Sequence, residues 1–221
     1  MSEHEKLWRG QLTAGLKAMA IVLSSEQQQK LLDYLALLVK WNRAFNLTAI
    51  RDPKEMVSRQ LLDALSILHL VRGSQVLDVG TGPGLPGIPL AVALTDTRFT
   101  LLDSNGKKTR FVQQSIGALG LRNVEVIQAR VEAFQPQQGY DTITSRAFTS
   151  LPKMVQLTSH LLADGGRYLA MKGVDPVDEL DQAVLGKMRV ERVTLFVPET
   201  TGERHAVIIN GGRDEDRGDR G

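Results

Sequence analysis

The chain has 221 residues, 42% of them hydrophobic, and a formal net charge of +2 at neutral pH. This length suits one domain of ordinary size with an appendage, and so small a charge permits a nucleic-acid partner without arguing for one. The absence of cysteine excludes disulfides and cysteine-based zinc sites, and no metal site is predicted. The N-terminal sequence lacks the apolar segment of a signal peptide, and no apolar stretch is long enough to cross a bilayer. We therefore expect a soluble, cytoplasmic protein with no membrane partner.

Residues 1–72 are predicted to form a helical region. Apolar residues recur at helical spacing between residues 25 and 46. A further helix is expected to begin after Asp52, because Asp52 suits the N-cap and Pro53 suits the first helical position. Glu55 is expected to complete a capping box with Asp52.

From residue 75 onwards, short β-rich runs alternate with helical segments. The predicted strands are 75–79, 98–103, 124–128, 140–145, 166–171, 190–197 and 205–209. The predicted helices lie near 86–94, 106–119, 131–134 and 150–162. This alternation predicts an α/β domain over 73–210, with a mostly parallel sheet covered on both faces. Because only a polar turn separates the last two runs, they are expected to form an antiparallel hairpin. The charged, glycine-rich residues 211–221 are expected to be a disordered tail.

The most informative local pattern is the sequence VLDVGTGPGLPG at residues 76–87. An apolar strand ends in Asp78 and passes into a loop that contains Gly80, Gly82 and Gly84, and a helix is predicted to follow. Such a loop lets a ligand lie against bare backbone N–H groups, near the N-terminus of the next helix. Glycines also serve ordinary turns, but the strand, the helix and two nearby acids favour a ligand site.

The two acids, Asp78 and Asp103, both lie at the ends of predicted strands. Asp103 lies about where an acid that binds ribose hydroxyls is expected in a nucleotide-binding βαβ unit. Pro83 and Pro86 remove two backbone N–H donors from the loop. Their presence disfavours a pyrophosphate and favours a cofactor without phosphates, such as S-adenosylmethionine. Asp78 then has two compatible interpretations: it attracts the cofactor's ammonium group, directly or through a relay, or it caps the loop's own amides.

The loop at residues 78–90 resembles the cofactor loop of the RsmG (GidB) family, the bacterial small-subunit rRNA guanine-N7 methyltransferases. Other matching stretches are 40–48, 100–104 with Lys107 and Lys108, 145–148, 171–173 and 202–205. The resemblance covers about residues 25–210. It implies a Rossmann-like, seven-stranded class I methyltransferase sheet with an N-terminal helical extension. It also implies S-adenosylmethionine as the methyl donor and N7 of guanine 527 in 16S rRNA as the acceptor.

Carried over by position, the resemblance implies that Gly80, Leu85, Val131, Glu132 and Arg146 bind the cofactor. The sequence context agrees, because residues 131 and 132 follow the third predicted strand, where an adenine contact belongs in such a sheet. Glu132 also has a simpler interpretation, as an acid that stabilises the N-terminus of a short helix. Arg146 follows the fourth strand, at the edge where open α/β sheets bind ligands, and it is predicted to position the reacting groups.

Guanine N7 has a lone pair and no proton, so its methylation requires positioning rather than a base. The resemblance implies 16S rRNA as the partner, alone, in the 30S subunit or in an assembly intermediate, and we expect a monomer. Lys107, Lys108 and Lys172 are candidate phosphate contacts, although for each one a solvated surface position is the simpler interpretation. Phe148 either stacks on the guanine or packs in the core.

Two other classes of function fit parts of the sequence. A nicotinamide-dependent oxidoreductase requires a substrate domain and a loop that binds pyrophosphate, and neither is visible. A non-catalytic RNA-binding module requires no cofactor loop at all. Binding of S-adenosylmethionine, of NAD or of neither separates the three classes.

Overall fold

The computed structural model describes residues 3–174, 179 and 188–213, and a seven-stranded sheet forms its centre. The strands are β1 Gln75–Val79, β2 Arg98–Asp103, β3 Val124–Gln128, β4 Tyr140–Arg146, β5 Leu162–Lys172, β6 Met188–Thr194 and β7 His205–Arg213. Their order across the sheet is β3-β2-β1-β4-β5-β7-β6. Strands β1 to β5 pair in parallel, whereas β7 runs antiparallel to both β5 and β6. The predicted α/β sheet and its antiparallel last hairpin are confirmed.

The N-terminal region is helical, as predicted. It contains α1 Glu3–Ala18, α2 Ser25–Phe45, α3 Pro53–Met56, a π-helical segment Val57–Leu62, α4 Asp63–Leu65 and a 3-10 turn Leu68–Leu70. The helices that follow the strands are α5 Gly87–Ala93, α6 Gly106–Leu119 and α7 Leu151–Thr158. Among the helices of the described residues, none is both long and apolar enough to cross a membrane.

Helix α3 begins as the sequence predicts, but its cap is simpler. The Asp52 carboxylate accepts a hydrogen bond from the Lys54 amide, and Pro53 occupies the first turn. Glu55 pairs with Arg59 at 3.1 Å, one turn further on. A capping box forms instead at the start of α2, between Ser24 and Gln27.

Successive residues of the central strands pack into two apolar clusters on opposite faces of the sheet. Val76 and Leu101 belong to the cluster that also contains the N-terminal helices, α5 and α6. Leu77 and Leu102 belong to the cluster formed with α7. This alternation follows from the two-residue period of a strand. The N-terminal helices therefore share a core with the sheet and with the helix that follows the loop after β1.

Several predicted boundaries differ from the structure. The helix expected near 131–134 is a single 3-10 turn, Val131–Ala133, because Pro136 follows closely and cannot extend a helix. Strand β5 begins at Leu162 rather than at residue 166, and its register with β4 shifts at a bulge near Tyr140. Two glycines within β5 weaken the strand pattern there.

The last two strands also differ in extent from the prediction. Strand β6 spans Met188–Thr194 rather than 190–197. Strand β7 continues to Arg213, which pairs with Met188, so residues 211–213 belong to the sheet and not to a disordered tail. Residues 214–221, the rest of the predicted tail, lie outside the described residues.

Candidate active site

The loop after β1 turns through three glycines with left-handed backbone. Gly80, Gly82 and Gly84 have φ values of 66°, 61° and 95°, a region that side chains with a Cβ atom avoid. A Cβ atom on Gly80 would lie 2.5 Å from Cδ2 of Phe148, whereas a Cβ atom on Gly82 would meet nothing closer than 4.0 Å. The glycine at position 80 is therefore required both by its backbone and by the ring that packs on it.

Asp78 lies wholly buried beneath this loop. Its Oδ2 accepts hydrogen bonds from the Thr81 hydroxyl at 2.6 Å and from the Gly87 amide at 2.9 Å. Asp78 therefore caps groups of the loop itself, one hydroxyl and one backbone amide, which is the second of its two predicted roles. Burial raises the pKa of Asp78 to about 6, against the hydrogen bonds from Thr81 and Gly87, which lower it. Its second oxygen, Oδ1, has no hydrogen-bond partner among the described residues.

Asp103, at the end of β2, connects its strand to the glycine loop. One carboxylate oxygen accepts from the Gly82 amide at 2.9 Å, and the other accepts from the Asn105 amide at 2.8 Å. A carboxylate has about four acceptor positions, so two remain for a ligand's hydroxyl groups. Asp103 is thus both fixed in place and able to bind a diol.

A cavity of about 400 Å³ opens beside Asp103, where strands β1 to β4 end, and we term it the loop cavity. The residues singled out from the sequence that line it are six: Gly80, Asp103, Lys108, Val131, Glu132 and Phe148. Its other lining residues are Leu102, Ser104, Ala129, Arg130, Ala147, Thr149, Lys153 and Leu157. The carboxyl edge of a parallel sheet is the usual ligand position in this fold class. The loop cavity is therefore the candidate cofactor site.

The remaining cofactor candidates lie beneath or beside this cavity. Leu85 is 2% exposed and packs in the core. Gly84 is also buried, and a Cβ atom there would lie 2.6 Å from Cδ1 of Ile88. Together with Asp78, these residues shape the loop from behind, and Gly82 presents its amide to Asp103.

Helix α2 supports the loop through a residue that the sequence did not single out. The hydroxyl of Tyr34, which is fully buried, donates to the carbonyl of Pro83 at 2.8 Å. Burial raises the pKa of Tyr34 far above its usual value, so the hydroxyl stays a donor. In the sequence Tyr34 is one more member of an apolar helical stripe, and nothing local distinguishes it.

Arg146 lies in a second cavity, which the structure places next to the first. Its guanidinium donates to Asp63 at 3.0 Å, to the Gln60 side chain at 2.9 Å and to the Arg59 carbonyl at 3.1 Å. All three acceptors belong to the π-helical segment or to the residue directly after it. Arg146 therefore joins the end of β4 to the N-terminal helices, and it is not among the residues that line the loop cavity.

We term this second space the arginine cavity, and its volume is about 500 Å³. It is lined by Thr48, Ile50, Arg59, Gln60, Asp63, Arg146, Ala147, Met171, Lys172, Gly173, Leu195, Arg204 and His205. Ala147 lines both cavities and has a left-handed φ of 55°, which is uncommon for a residue other than glycine. The two cavities therefore adjoin each other at the backbone turn after β4.

A polar network holds the walls of the arginine cavity. The side-chain amide of Gln60 donates to the Thr48 hydroxyl at 2.8 Å, and the backbone amide of Thr48 donates to the side-chain oxygen of Asn42 at 2.9 Å. Asp63 lies between two guanidinium groups, since Arg204 Nε is 3.4 Å from its Oδ1. The sequence did not single out Gln60 or Asp63. The sequence does contain one signal for Asp63, which is an acid on an apolar helical stripe. Charged residues are seldom buried without a partner, so such an acid indicates a buried ion pair.

The lysines predicted to contact RNA differ in position. Lys172 lines the arginine cavity, and its ammonium pairs with Glu179 at 2.9 Å. Lys108 lines the loop cavity, whereas Lys107 is exposed on the first turn of α6.

Buried His205 pairs with Glu203 at 3.0 Å, and its Nδ1 has no partner within the described part of the chain.

Comparison with known proteins identifies the family. Residues 27–207 match the family model GidB, described as rRNA small subunit methyltransferase G. The ribosomal RNA small subunit methyltransferase G of Marinobacter nauticus is 55% identical over 91% of this chain and 94% of its own length. The Chromobacterium violaceum protein of the same name is 50% identical over 91% of this chain and 97% of its own. A SAM-dependent methyltransferase structure from Aquifex aeolicus has the same fold, with a TM-score of 0.57 and 18% identity over 76% of this chain and 97% of its own. The chain belongs to the GidB family of small-subunit rRNA methyltransferases.

Proposed function

We propose that the chain transfers the methyl group of S-adenosylmethionine to N7 of guanine 527 in 16S rRNA. The observation that carries the proposal is the junction at Ala147 of two cavities with different chemistry. One is built around bare glycine backbone and a diol-binding acid, and the other around a carboxylate set between arginines. Family membership supports the methyltransferase class over an oxidoreductase or a non-catalytic RNA-binding module.

In the proposed complex S-adenosylmethionine occupies the loop cavity. Asp103 accepts hydrogen bonds from the ribose hydroxyls, and Gly80 offers backbone without a side chain. Val131 and Glu132 lie after β3, on the side of the cavity where the adenine belongs. The cofactor has no phosphate, so the two N–H donors that Pro83 and Pro86 remove are not required. Asp78 acts from behind the loop, by holding Thr81 and Gly87 in place.

The guanine base enters the arginine cavity in this proposal. The Watson–Crick edge of guanine carries two adjacent N–H groups, and a carboxylate such as Asp63 accepts from both. Its O6 accepts hydrogen bonds, for which arginine is the usual donor, whereas N7 must stay free of a donor because its lone pair attacks the methyl carbon. N7 is recessed in the deep, narrow major groove of an RNA duplex, so the target nucleotide must be unpaired or splayed out. Methyl transfer occurs where the two cavities meet.

The chemical step requires alignment of three atoms. The N7 lone pair forms the new bond to the methyl carbon while the carbon–sulfur bond breaks and its electron pair stays on sulfur. The positive charge moves from sulfur to the purine, and no proton is removed. Fixed orientation of such reactants contributes up to roughly 7–11 kcal/mol to lowering a barrier. Arg146 and Asp63, locked together at 3.0 Å, supply rigid walls for this alignment.

The test is transfer of labelled methyl groups to 16S rRNA, both free and in 30S subunits, followed by mass mapping of the modified nucleotide. We expect one N7-methylguanine at position 527 and no transfer when that guanosine is replaced by adenosine. Inosine at the same position lacks the 2-amino group, and we expect it to be methylated more slowly because Asp63 loses one partner. Methylation at another atom or another nucleotide would refute the proposed specificity.

A further inference from the structure

A third cavity, of about 470 Å³, lies at the opposite edge of the sheet, and we term it the amino-edge cavity. It is lined by His69, Leu70, Arg72, Gly165, Arg167, Arg189, Glu191, Ile208, Asn210 and Gly211. Arg72 precedes β1, and Arg189 lies near the start of β6. Neither the loop cavity nor the arginine cavity shares a residue with it.

The charges of this cavity are unbalanced. Three arginines line it, and Glu191 is the one carboxylate among its described lining residues. Arg167 is only 7% exposed, and the acceptor found for its guanidinium among the described residues is the Leu70 carbonyl, at 3.5 Å. Burial, and then the nearby charge of Arg72, lower the pKa of Arg167, while Glu191 opposes them. A buried cation with so weak a partner is costly unless an anion joins it.

The backbone that carries two of these arginines, Arg72 and Arg167, is fixed by the sheet. The Thr142 hydroxyl, on β4, accepts from the Arg72 amide at 3.1 Å and donates to the Arg72 carbonyl at 2.7 Å. Arg167 lies within β5, paired with Thr142 on one side and with Asn210 of β7 on the other. Planar guanidinium groups match the oxygens of a phosphate better than lysines do.

The edge strand β6 connects this cavity to the active site. Arg189 and Glu191 line the amino-edge cavity near the start of β6, and Leu195, directly after its end, lines the arginine cavity. The separation from Arg189 to Leu195 is about 20 Å at roughly 3.3 Å per residue. A large RNA with its target base in the arginine cavity can therefore follow this outer strand and reach the opposite edge.

We propose that the amino-edge cavity binds a backbone phosphate of the RNA substrate, as an anchor remote from the methylated base. The inference rests on the proposed function only in taking RNA as the large ligand. Phosphate contacts of this kind fix the position of a nucleic acid and carry no sequence information. The anchor therefore sets affinity and orientation, while the arginine cavity selects the base.

The experiment compares two double variants of the full chain in which two exposed arginines become glutamine. Arg72→Gln/Arg189→Gln removes charge from the cavity and leaves buried Arg167 in place. Arg98→Gln/Arg122→Gln removes equal charge from exposed positions beside β2 and β3, near the same edge of the sheet. Binding to 16S rRNA is measured over a salt series, together with the affinity for S-adenosylmethionine and the thermal midpoint.

We expect the salt slope of the binding constant to decrease in magnitude for the cavity variant by about 0.7 for a single-stranded contact or about 0.9 for a duplex contact, because one phosphate contact is lost. The matched variant should keep the wild-type slope, and both should bind S-adenosylmethionine normally. An unchanged slope in the cavity variant, or an equal decrease in both variants, overturns the inference. If the wild type binds 16S rRNA with a salt slope that depends on the cavity arginines but does not methylate it, the proposed function is wrong and the anchor stands.

The chain itself offers a competing anion. Asp214, Glu215 and Asp216 follow directly after β7 in the sequence. A third variant, Asp214→Asn/Glu215→Gln/Asp216→Asn, identifies this occupant. Two results together would show that the cavity binds the chain's own acids, and would refute the RNA anchor. The first is that the acid variant lowers the thermal midpoint as much as Arg72→Gln/Arg189→Gln does, and that combining the two sets of substitutions lowers it no further. The second is that Arg72→Gln/Arg189→Gln leaves the salt slope of RNA binding unchanged.

Discussion

The guanidinium of Arg146 donates to the carboxylate of Asp63 at 3.0 Å, which joins the end of β4 to the N-terminal helices across the arginine cavity. Asp63 is nearly buried and also faces Arg204. One carboxylate thus compensates two guanidinium groups beside the proposed position of the base. Variants of Asp63 and of Arg146 separate the structural contribution of this pair from its contribution to the reaction.

Asp63→Asn should lower the free energy of unfolding by about 1–3 kcal/mol, because it leaves two partly buried cations without their counter-charge. Glu55→Gln is the matched control, since it breaks an ion pair whose two side chains are 43% and 49% exposed. Such an exposed helical pair contributes only about 0.3–0.5 kcal/mol. Urea denaturation of both variants makes the comparison, and equal losses would mean that Asp63 is not a special counter-ion.

Arg146→Lys should reduce the rate of methyl transfer at least about tenfold while leaving the affinity for S-adenosylmethionine near the wild-type value. Lysine keeps the charge but cannot reach Asp63, Gln60 and the Arg59 carbonyl together, as the planar fork does. Single-turnover rates and calorimetric cofactor binding separate the two quantities. A cofactor affinity that falls as far as the rate would instead make Arg146 a cofactor ligand, as the family resemblance implies.

Asp103→Asn should weaken cofactor binding by about 1.5–3 kcal/mol, the cost of losing charged hydrogen bonds. Asparagine keeps the shape of the side chain and one acceptor oxygen, so the Gly82 amide can still donate a hydrogen bond to residue 103. Calorimetry with S-adenosylhomocysteine and with its 2′-deoxy analogue gives a double-mutant cycle. The wild type should distinguish the two ligands and the variant should not. If both proteins distinguish them equally, Asp103 does not bind the ribose.

Asp78 should make stability fall as the pH rises between about 4 and 6. Its folded pKa, about 6, is above the unperturbed value of 3.8 because the carboxyl group is buried. The folded state therefore holds a proton that the unfolded state has lost, and stability decreases through this window by on the order of 1–3 kcal/mol. Denaturation of the wild type and of Asp78→Asn at several pH values tests this. Parallel curves would contradict the buried, protonatable carboxyl group.

The loop cavity was largely predictable from the sequence, and the arginine cavity was not. Gly80 and Val131 each follow a strand and Asp103 ends one, so knowing the strands also places these residues at one edge of a parallel sheet. Gln60 and Asp63 come to Arg146 only because the π-helical segment packs over the end of β4. That contact joins residues more than eighty positions apart, and no local pattern encodes it. For the same reason Tyr34 and its bond to Pro83 have no sequence signal.

The rate of the chemical step should be nearly independent of pH between about 6.5 and 8.5 if guanine N7 is the acceptor. N7 carries no proton, so no general base has to remove one before N7 attacks the methyl carbon. The rate therefore does not rise with pH as it does in general-base catalysis. Below this range Asp78, whose pKa is about 6, gains a proton while it keeps its two donors, so the loop should hold its shape. Single-turnover methylation of 16S rRNA at saturating cofactor measures the profile. A rate that climbs tenfold per pH unit through neutrality would indicate an obligatory base, and therefore a different acceptor atom.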